Sequence, residues 1–296
     1  MPSPGIVNTI EEFFRGVKDY NVAIIGETII DEFVTVSYEG QSMKSICPVY
    51  RTEGEKVLQI GGAGAIANRL RNLVKNVDLI TNTNNEIIKT RFLDKNDNKK
   101  HVEINKFETK KFFPIKLDTS KYDIVIVADF GHGFCDNLSI ADGFHLMCQT
   151  NSNNFGFNRI SKWKQFNKKS VCLDLREASL QMNMKVKFQS DEQLKALYNY
   201  EIASENLFLT LGSEGAIYTD GKNIVRQESF ESEIIDTIGA GDTFFAFACL
   251  ASQLNVENKQ NIMLVPALAA SLSTTWLCNE KSVTKNSLIK HANRFN

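Results

Sequence analysis

Asp236-Thr237-Ile238-Gly239-Ala240-Gly241-Asp242 runs directly into Thr243-Phe244-Phe245-Ala246-Phe247-Ala248, so two glycines and an alanine stand where an apolar helical pattern begins. Small residues at a helix start leave the first backbone N–H groups uncovered, and the helix dipole adds partial positive charge there. Such a turn suits an anion, phosphate above all. The carboxylate of Asp242 cannot be the phosphate ligand, because like charges repel. It suits a base that takes a proton from a group attacking that phosphate. A tight turn followed by an Asp helix cap accounts for the same residues without any chemistry, and both readings stand at this point. The Phe and Ala run that follows is core.

Outward from this junction, the rest of the chain alternates short apolar strands with helical patterns. Val22–Gly26, Val77–Ile80, Ile124–Ala128, Val171–Leu175 and Leu207–Leu211 read as buried strands. Helical spacing appears at Ile10, Phe13, Phe14 and Val17, then over Ala63–Val74, Asp136–Cys148 and Asp191–Tyr200. The C-terminal third is helical over Ala240–Leu254, Lys259–Leu277 and Lys285–Ala292. Strands separated by helices imply a mostly parallel sheet covered on both faces. Two segments depart from that rhythm. Glu32–Val36 with Pro48–Thr52, and Lys89–Asn105 around the polar turn Lys95-Asn96-Asp97-Asn98, read as strands without helical crossovers. They predict a small separate sheet, either a flap over a cleft or an edge decoration. Asn151–Asn158 is the one biased stretch and reads as an exposed loop.

Composition narrows the field. The chain of 296 residues is long enough for one α/β core with a small appendage, and 43% hydrophobic residues supply that core. A net charge of −1 gives no global attraction to nucleic acid or anionic membrane, and no apolar stretch approaches membrane-spanning length. The N-terminus lacks the charged and apolar regions of a signal peptide, so a cytoplasmic protein is expected. The six cysteines are scattered without a CxxC pair and read as reduced core thiols, and four histidines at no metal-ligand spacing argue against zinc.

The combination of motifs resembles the ribokinase-like, or PfkB-type, carbohydrate kinases over nearly the whole chain. Asp236–Asp242 is similar to that family's closing signature, and Gly61-Gly62-Ala63-Gly64-Ala65-Ile66-Ala67-Asn68 is similar to its glycine-rich sugar motif, in the right chain order. The resemblance implies a ribokinase-like three-layer α/β/α core with a mostly parallel central sheet and a small β-sheet lid. One kinase domain spans residues 1–296, with lid strands from about 32–52 and 89–106 inserted. The implied cofactors are ATP and Mg2+. Asp242 becomes the base, and the amides of Gly239, Ala240 and Gly241 the anion site. Asp31, Gly61, Gly62 and Asn68 become the acceptor site: the glycines allow close backbone approach, and a carboxylate can take two O–H donors. Thr210, Gly212 and Gly215 fall in a segment similar to the family's strand and turn beside ATP, although Gly-Ser-Glu-Gly alone reads as a hairpin turn. Asp174-Leu175-Arg176-Glu177 resembles the Asn-x-x-Glu motif that tunes magnesium through water, with Glu177 kept and Asp174 standing where Asn is usual. A monovalent cation beside Asp236 and Thr237, as in some relatives, is also within what the resemblance allows.

Within the family the nearest resemblance is to heptose-phosphate kinases of lipopolysaccharide precursor synthesis. Gly26–Phe33, Cys47-Pro48-Val49 and Val127–Gly133 carry it. Phe130 and His132 replace the Tyr and Lys of the corresponding segment, which weakens a basic contact or makes it pH-dependent. Lys44, Arg51 and Arg91 are cations on or beside the lid strands that could meet an acceptor phosphate, or serve only edge protection. The expected activity is transfer of the γ-phosphoryl group of ATP to a hydroxyl of a sugar or sugar phosphate. A nucleoside kinase and a non-catalytic sensing module on the same fold are the alternatives. An uncovered lid edge also allows a homodimer through the lid.

Overall fold

The computed structural model describes residues 4–83, 86–107, 114–150, 158–187, 189–200, 202, 204–230, 233–254 and 259–295. The chain opens with α1 (Pro4–Val17) and β1 (Asn21–Gly26), then leaves the main sheet along β2 (Thr28–Gln41). β3 (Pro48–Thr52) and β4 (Val57–Gly61) pair antiparallel with β2, and α2 (Gly62–Leu70) leads on to β5 (Asn76–Ile80). A hairpin of β6 (Ile88–Asp94) and β7 (Lys100–Lys106) follows, then β8 (Ile115–Lys116) and β9 (Ile124–Asp129). β10 (Leu138–Ser139) and β11 (Phe144–Cys148) precede β12 (Lys168–Asp174), α3 (Leu175–Met182) and α4 (Asp191–Asn199). The last third carries β13 (Ser204–Thr210), β14 (Ala216–Thr219), β15 (Ile224–Gln227), α5 (Ala240–Gln253), α6 (Gln260–Ser273) and α7 (Lys285–Ala292).

The main sheet has the order β15-β14-β13-β12-β11-β9-β1-β5, parallel from β13 to β5 and antiparallel through β14 and β15. Its strands are apolar on both faces, as a twice-covered parallel sheet requires. Val22 and Ile24 of β1, with Ile124 and Ile126 of β9, join one core with α1, α2, α5, α6 and α7. Ala23 and Ile25, with Val125 and Val127, face the other way, into a core closed by α3 and α4. The period-two alternation of side chains sends neighbouring residues to opposite layers. The fold is therefore the expected three-layer α/β/α arrangement with a mostly parallel sheet, and the second sheet, β3-β2-β6-β7 with β4 on β2, is the lid.

Several expectations need correction. Asp136–Cys148 is not a helix: Leu138–Ser139 forms a short bridge with β8, and Phe144–Cys148 is a parallel strand buried throughout. Five apolar residues in a row satisfy a doubly buried strand as well as a helical face, and Gly143, at φ 92°, ends any helix before them. Val171–Leu175 stops one residue sooner, because Asp174 caps α3. Residues 151–157 of the Asn-rich stretch lie outside the described residues, but Asn158 is buried, not exposed. Cys47 is exposed on the lid, while the other five cysteines are buried free thiols as expected. Among the described residues no helix is long and apolar enough to cross a membrane.

Candidate active site

Gly239 adopts a left-handed conformation at φ 79°, ψ 0°, and α5 starts at the next residue. Its carbonyl accepts the Thr243 amide at 2.9 Å, the Thr243 hydroxyl at 2.8 Å and Arg69 Nη2 at 3.2 Å. Of the three amides expected to form the anion site, that of Ala240 donates to the Thr237 carbonyl over a long 3.3 Å. No acceptor for the Gly239, Gly241 or Asp242 amide is found among the described residues. A β-carbon added to Gly241 would meet nothing within 4 Å, so the turn faces open space. The cradle therefore consists of Gly239 and Gly241, joined by Asp242, and Ala240 contributes only by giving up its long bond.

Asp242 stands half-buried on the third residue of α5. Burial pushes its pKa above the usual carboxylate value; the Arg69 charge opposes this, the Asp31 charge adds to it, and Lys89 opposes it. The base expected on α5, the acid expected on the lid and a lid lysine thus share one electrostatic environment. This is the juxtaposition that chain positions 31 and 242 could not reveal.

Asp31 is buried on β2, ion-paired with Arg91 of the neighbouring β6. Gly61 pairs across from Ile29, and any side chain there would strike the Asp31 carboxylate. Gly62, at φ 59°, lies against the Glu27 carbonyl, to which Ala63 donates at 2.9 Å. The motif thus lets α2 start directly beside Asp31. Asn68 does not join this group: it is exposed, and its amide oxygen accepts from Arg71 three residues on. Of the lid cations, Lys44 is exposed, and Arg51, also exposed, pairs with Glu39 and Glu53 on the lid. Arg91 is buried between Asp31 and Glu103. Lys89, which sequence reasoning passed over, is equally buried and has no ion pair among the described residues. Its signal was period two: Lys89 and Arg91 alternate with outward residues on one strand.

Glu27, at the end of β1, is fully buried and accepts the amides of Phe130, His132 and Phe134 at 2.8, 3.2 and 3.1 Å. It thereby folds the segment after β9 over the sheet edge. Glu27, Asp129 and Cys135 cluster closely enough for a metal. However, Asp129 is also filled, by Lys162 at 2.6 Å, Trp163 Nε1 at 2.9 Å and Asn158 Nδ2 at 3.1 Å. Burial keeps the Cys135 thiol protonated. The cluster is an internal hub. His132, held by this hub, is buried with neither ring nitrogen partnered, and burial lowers its pKa to about 4 with Lys89 adding to the effect. It is a neutral ring at physiological pH, so the pH-dependent contact expected there is corrected to a neutral one.

The residues expected beside a nucleotide lie at the carboxyl edge of the sheet, where open α/β folds bind ligands. Thr210 ends β13 in register with Asp174 of β12. Gly212 and Gly215 bracket the turn into the antiparallel β14, so the hairpin reading holds. Asp174 and Glu177 form a reciprocal capping box at the start of α3, with bonds of 2.6 and 2.8 Å, and Glu177 also accepts the Thr150 amide at 3.0 Å. Asp in place of Asn keeps the cap, since both are strong N-cap residues. Burial raises the Glu177 pKa to about 8, with the charges of Asp174 and Asp242 adding to it. Both Glu177 oxygens already take backbone amides, which fits a cation held through water rather than directly. The surplus of carboxylates fits Mg2+.

Comparison with known proteins bears on the fold. Residues 140–285 match the family described as pfkB family carbohydrate kinase, close to half of the chain. The ribokinase of Lactococcus lactis subsp. lactis is 38% identical over 65 residues, 21% of each protein, so the match spans about a fifth of that relative's length. The nucleoside kinase of Methanocaldococcus jannaschii, an archaeal member of the ribokinase family, superposes with a TM-score of 0.67 at 16% identity, over 94% of this chain and 100% of that one. Ribokinase of Arabidopsis thaliana, solved with ribose and ATP, gives 0.62 at 13% identity, over 93% and 99%. The fold is ribokinase-like. The family match places residues 140–285 among pfkB family carbohydrate kinases, and the structural neighbours show the fold.

Proposed function

We propose that this chain is an ATP-dependent kinase that transfers the γ-phosphoryl group to a hydroxyl of a sugar phosphate, of the heptose-phosphate kind. The observation that carries the reading is the shared environment of Asp242, Asp31 and Lys89 beside a turn whose Gly239 and Gly241 amides have no acceptor among the described residues. Asp31 would accept two acceptor hydroxyls, and the neighbouring hydroxyl would give its proton to Asp242 as its oxygen attacks phosphorus. The Gly239 and Gly241 amides would hold the transferring oxygens, where charge builds up. Mg2+, carried with ATP and steadied through water by Glu177, supplies charge neutralisation on the phosphates. Thr210, Gly212 and Gly215 would border the nucleotide. A phosphorylated acceptor is favoured because Lys89 is a buried cation without an ion pair among the described residues, whereas Arg91 is already matched by two carboxylates.

The test is acceptor-dependent ADP release with Mg-ATP across sugar phosphates, free sugars and nucleosides. Sugar phosphates should lead. A nucleoside preference would move the reading to nucleoside kinases, and no release with any acceptor would favour a sensing module. Asp31→Asn should raise the acceptor KM about 10- to 100-fold, the worth of a charged hydrogen bond, and leave the ATP KM unchanged. An unaltered acceptor KM would remove Asp31 from the site. We also propose a homodimer through the lid, whose outer face leaves Leu58, Ile60 and Ile104 exposed. Sedimentation at micromolar concentration should give twice the chain mass, and Leu58→Glu should halve it; a monomeric wild type would end that proposal.

A further inference from the structure

Arg69, on the last turn of α2, is nearly fully buried, yet no carboxylate lies at ion-pair distance among the described residues. Its Nη2 donates to the Gly239 carbonyl at 3.2 Å and to Asn279 Oδ1 at 2.5 Å, while Nη1 has no partner among the described residues. Burying an unpaired guanidinium costs several kcal/mol, roughly, unless a nearby charge balances it. The balancing charge is Asp242, which raises the Arg69 pKa against the lowering by burial.

Asn279 extends the contact. Its amide donates to Gln59 Oε1 at 2.6 Å and its Nδ2 to the Ile60 carbonyl at 2.9 Å. Gln59 and Ile60 are the residues immediately before Gly61 and Gly62. Arg69 thus ties the acceptor turn to the anion turn. In a trans peptide the carbonyl and the following N–H point in opposite directions, so holding the Gly239 carbonyl fixes the plane that carries the Ala240 N–H.

A monovalent cation beside Asp236 and Thr237 does not fit these residues. The Asp236 oxygens accept the Ile238 and Cys278 amides, each at 3.0 Å. The Thr237 carbonyl takes the Ala240 amide at 3.3 Å, the Gly239 carbonyl two residues on already faces a permanent cation, and a second cation close to Arg69 would be repelled.

We propose that Arg69 is the tethered cation of the anion-binding turn, a positioning residue that holds the Gly239 carbonyl, so that turnover requires no monovalent ion. This rests on the kinase reading, but not all of its tests do. Asp242 faces Arg69 from α2, Asp31 from β2 and Lys89 from β6, and its charge also reaches Glu177 on α3 and Cys172 on β12. Among these, Arg69 is the first to oppose the effect of burial.

With the acceptor found in the panel, wild-type kcat should change less than about twofold between potassium and tetramethylammonium at equal ionic strength. Activation by potassium beyond that overturns the proposal, and this arm needs no variant. Arg69→Ala should lower kcat about 100-fold with KM for ATP little changed, and Arg69→Lys should lie between. The cavity of about 370 Å³ lined by Arg69, Gln59, Asn68, Asn279 and Ser282 gives free guanidinium a way in, and millimolar guanidinium should restore part of the loss. The carbon-13 carboxyl titration of Asp242 should move to higher pH in Arg69→Gln, because a charge that lowers its pKa is gone. That titration reads the coupling with no substrate present. A wild type without activity in any salt would end the kinase reading and leave this arm intact. An unmoved titration, or normal kcat in Arg69→Ala, overturns the role of Arg69.

Discussion

Asp242→Asn is expected to lower kcat by about 100- to 10,000-fold, the usual worth of a positioned base, with both KM values within about threefold. Asn keeps the shape of Asp242, which accepts no hydrogen bond from another described residue. Loss of negative charge from the first turn of α5 costs about 0.3–1 kcal/mol. It also removes the charge that balances the buried Arg69, so thermal unfolding of the variant is compared with the wild type before its kinetics are read. The pH profile supplies a second signature. The base works only when ionised, so kcat falls as pH falls through its pKa. Burial sets that pKa above the ordinary aspartate value, against the pull of Arg69. The acid limb should therefore lie above the ordinary aspartate range in the wild type and vanish in the variant. Near-normal turnover in Asp242→Asn would remove it as the base.

The second large effect belongs to Gly239→Ala, expected to lower kcat about 100-fold and to destabilise the chain by about 1–2 kcal/mol. Two costs coincide there. The residue sits at φ 79°, where an L side chain is strained, and its β-carbon would stand 2.7 Å from Asn279 Oδ1 and 2.8 Å from Arg69 Nη2. Relief requires moving the clamp that orients the turn. Gly241→Ala is the internal control, since it meets no protein atom and its φ is ordinary. It should fold like the wild type but intrude on the space proposed for phosphate, raising the ATP KM. If Gly239→Ala turned over normally, the anion site would have to lie elsewhere.

Much of this architecture was legible in sequence because it rests on local patterns. The strands Val22–Gly26 and Ile124–Asp129 announce themselves as apolar runs, and both glycine motifs stand where helices start. What stayed hidden depends on facing and distance. Asn68 and Arg69 are neighbours, about 100° apart round the helix, so one reaches solvent and the other the turn at Gly239. Nothing local distinguishes them. Glu27 looks like any polar residue after a strand, and its burial depends on three amides more than a hundred residues away. Arg91 reads as a possible edge cation, and Lys89 draws no notice, until β6 is seen to pair with β2 and face Asp31. The strand Phe144–Cys148 was lost for a different reason: a doubly buried strand has no alternation to betray it.

The most direct test of the account is a crystal structure with Mg-ADP, aluminium fluoride and the acceptor selected by the panel. The proposal predicts fluoride oxygen mimics within hydrogen-bond reach of the Gly239 and Gly241 amides, and an acceptor hydroxyl about 3 Å from the Asp242 carboxylate and in line with the nucleotide. Fluoride bound away from that turn, or Asp242 directed out of the cleft, would contradict it.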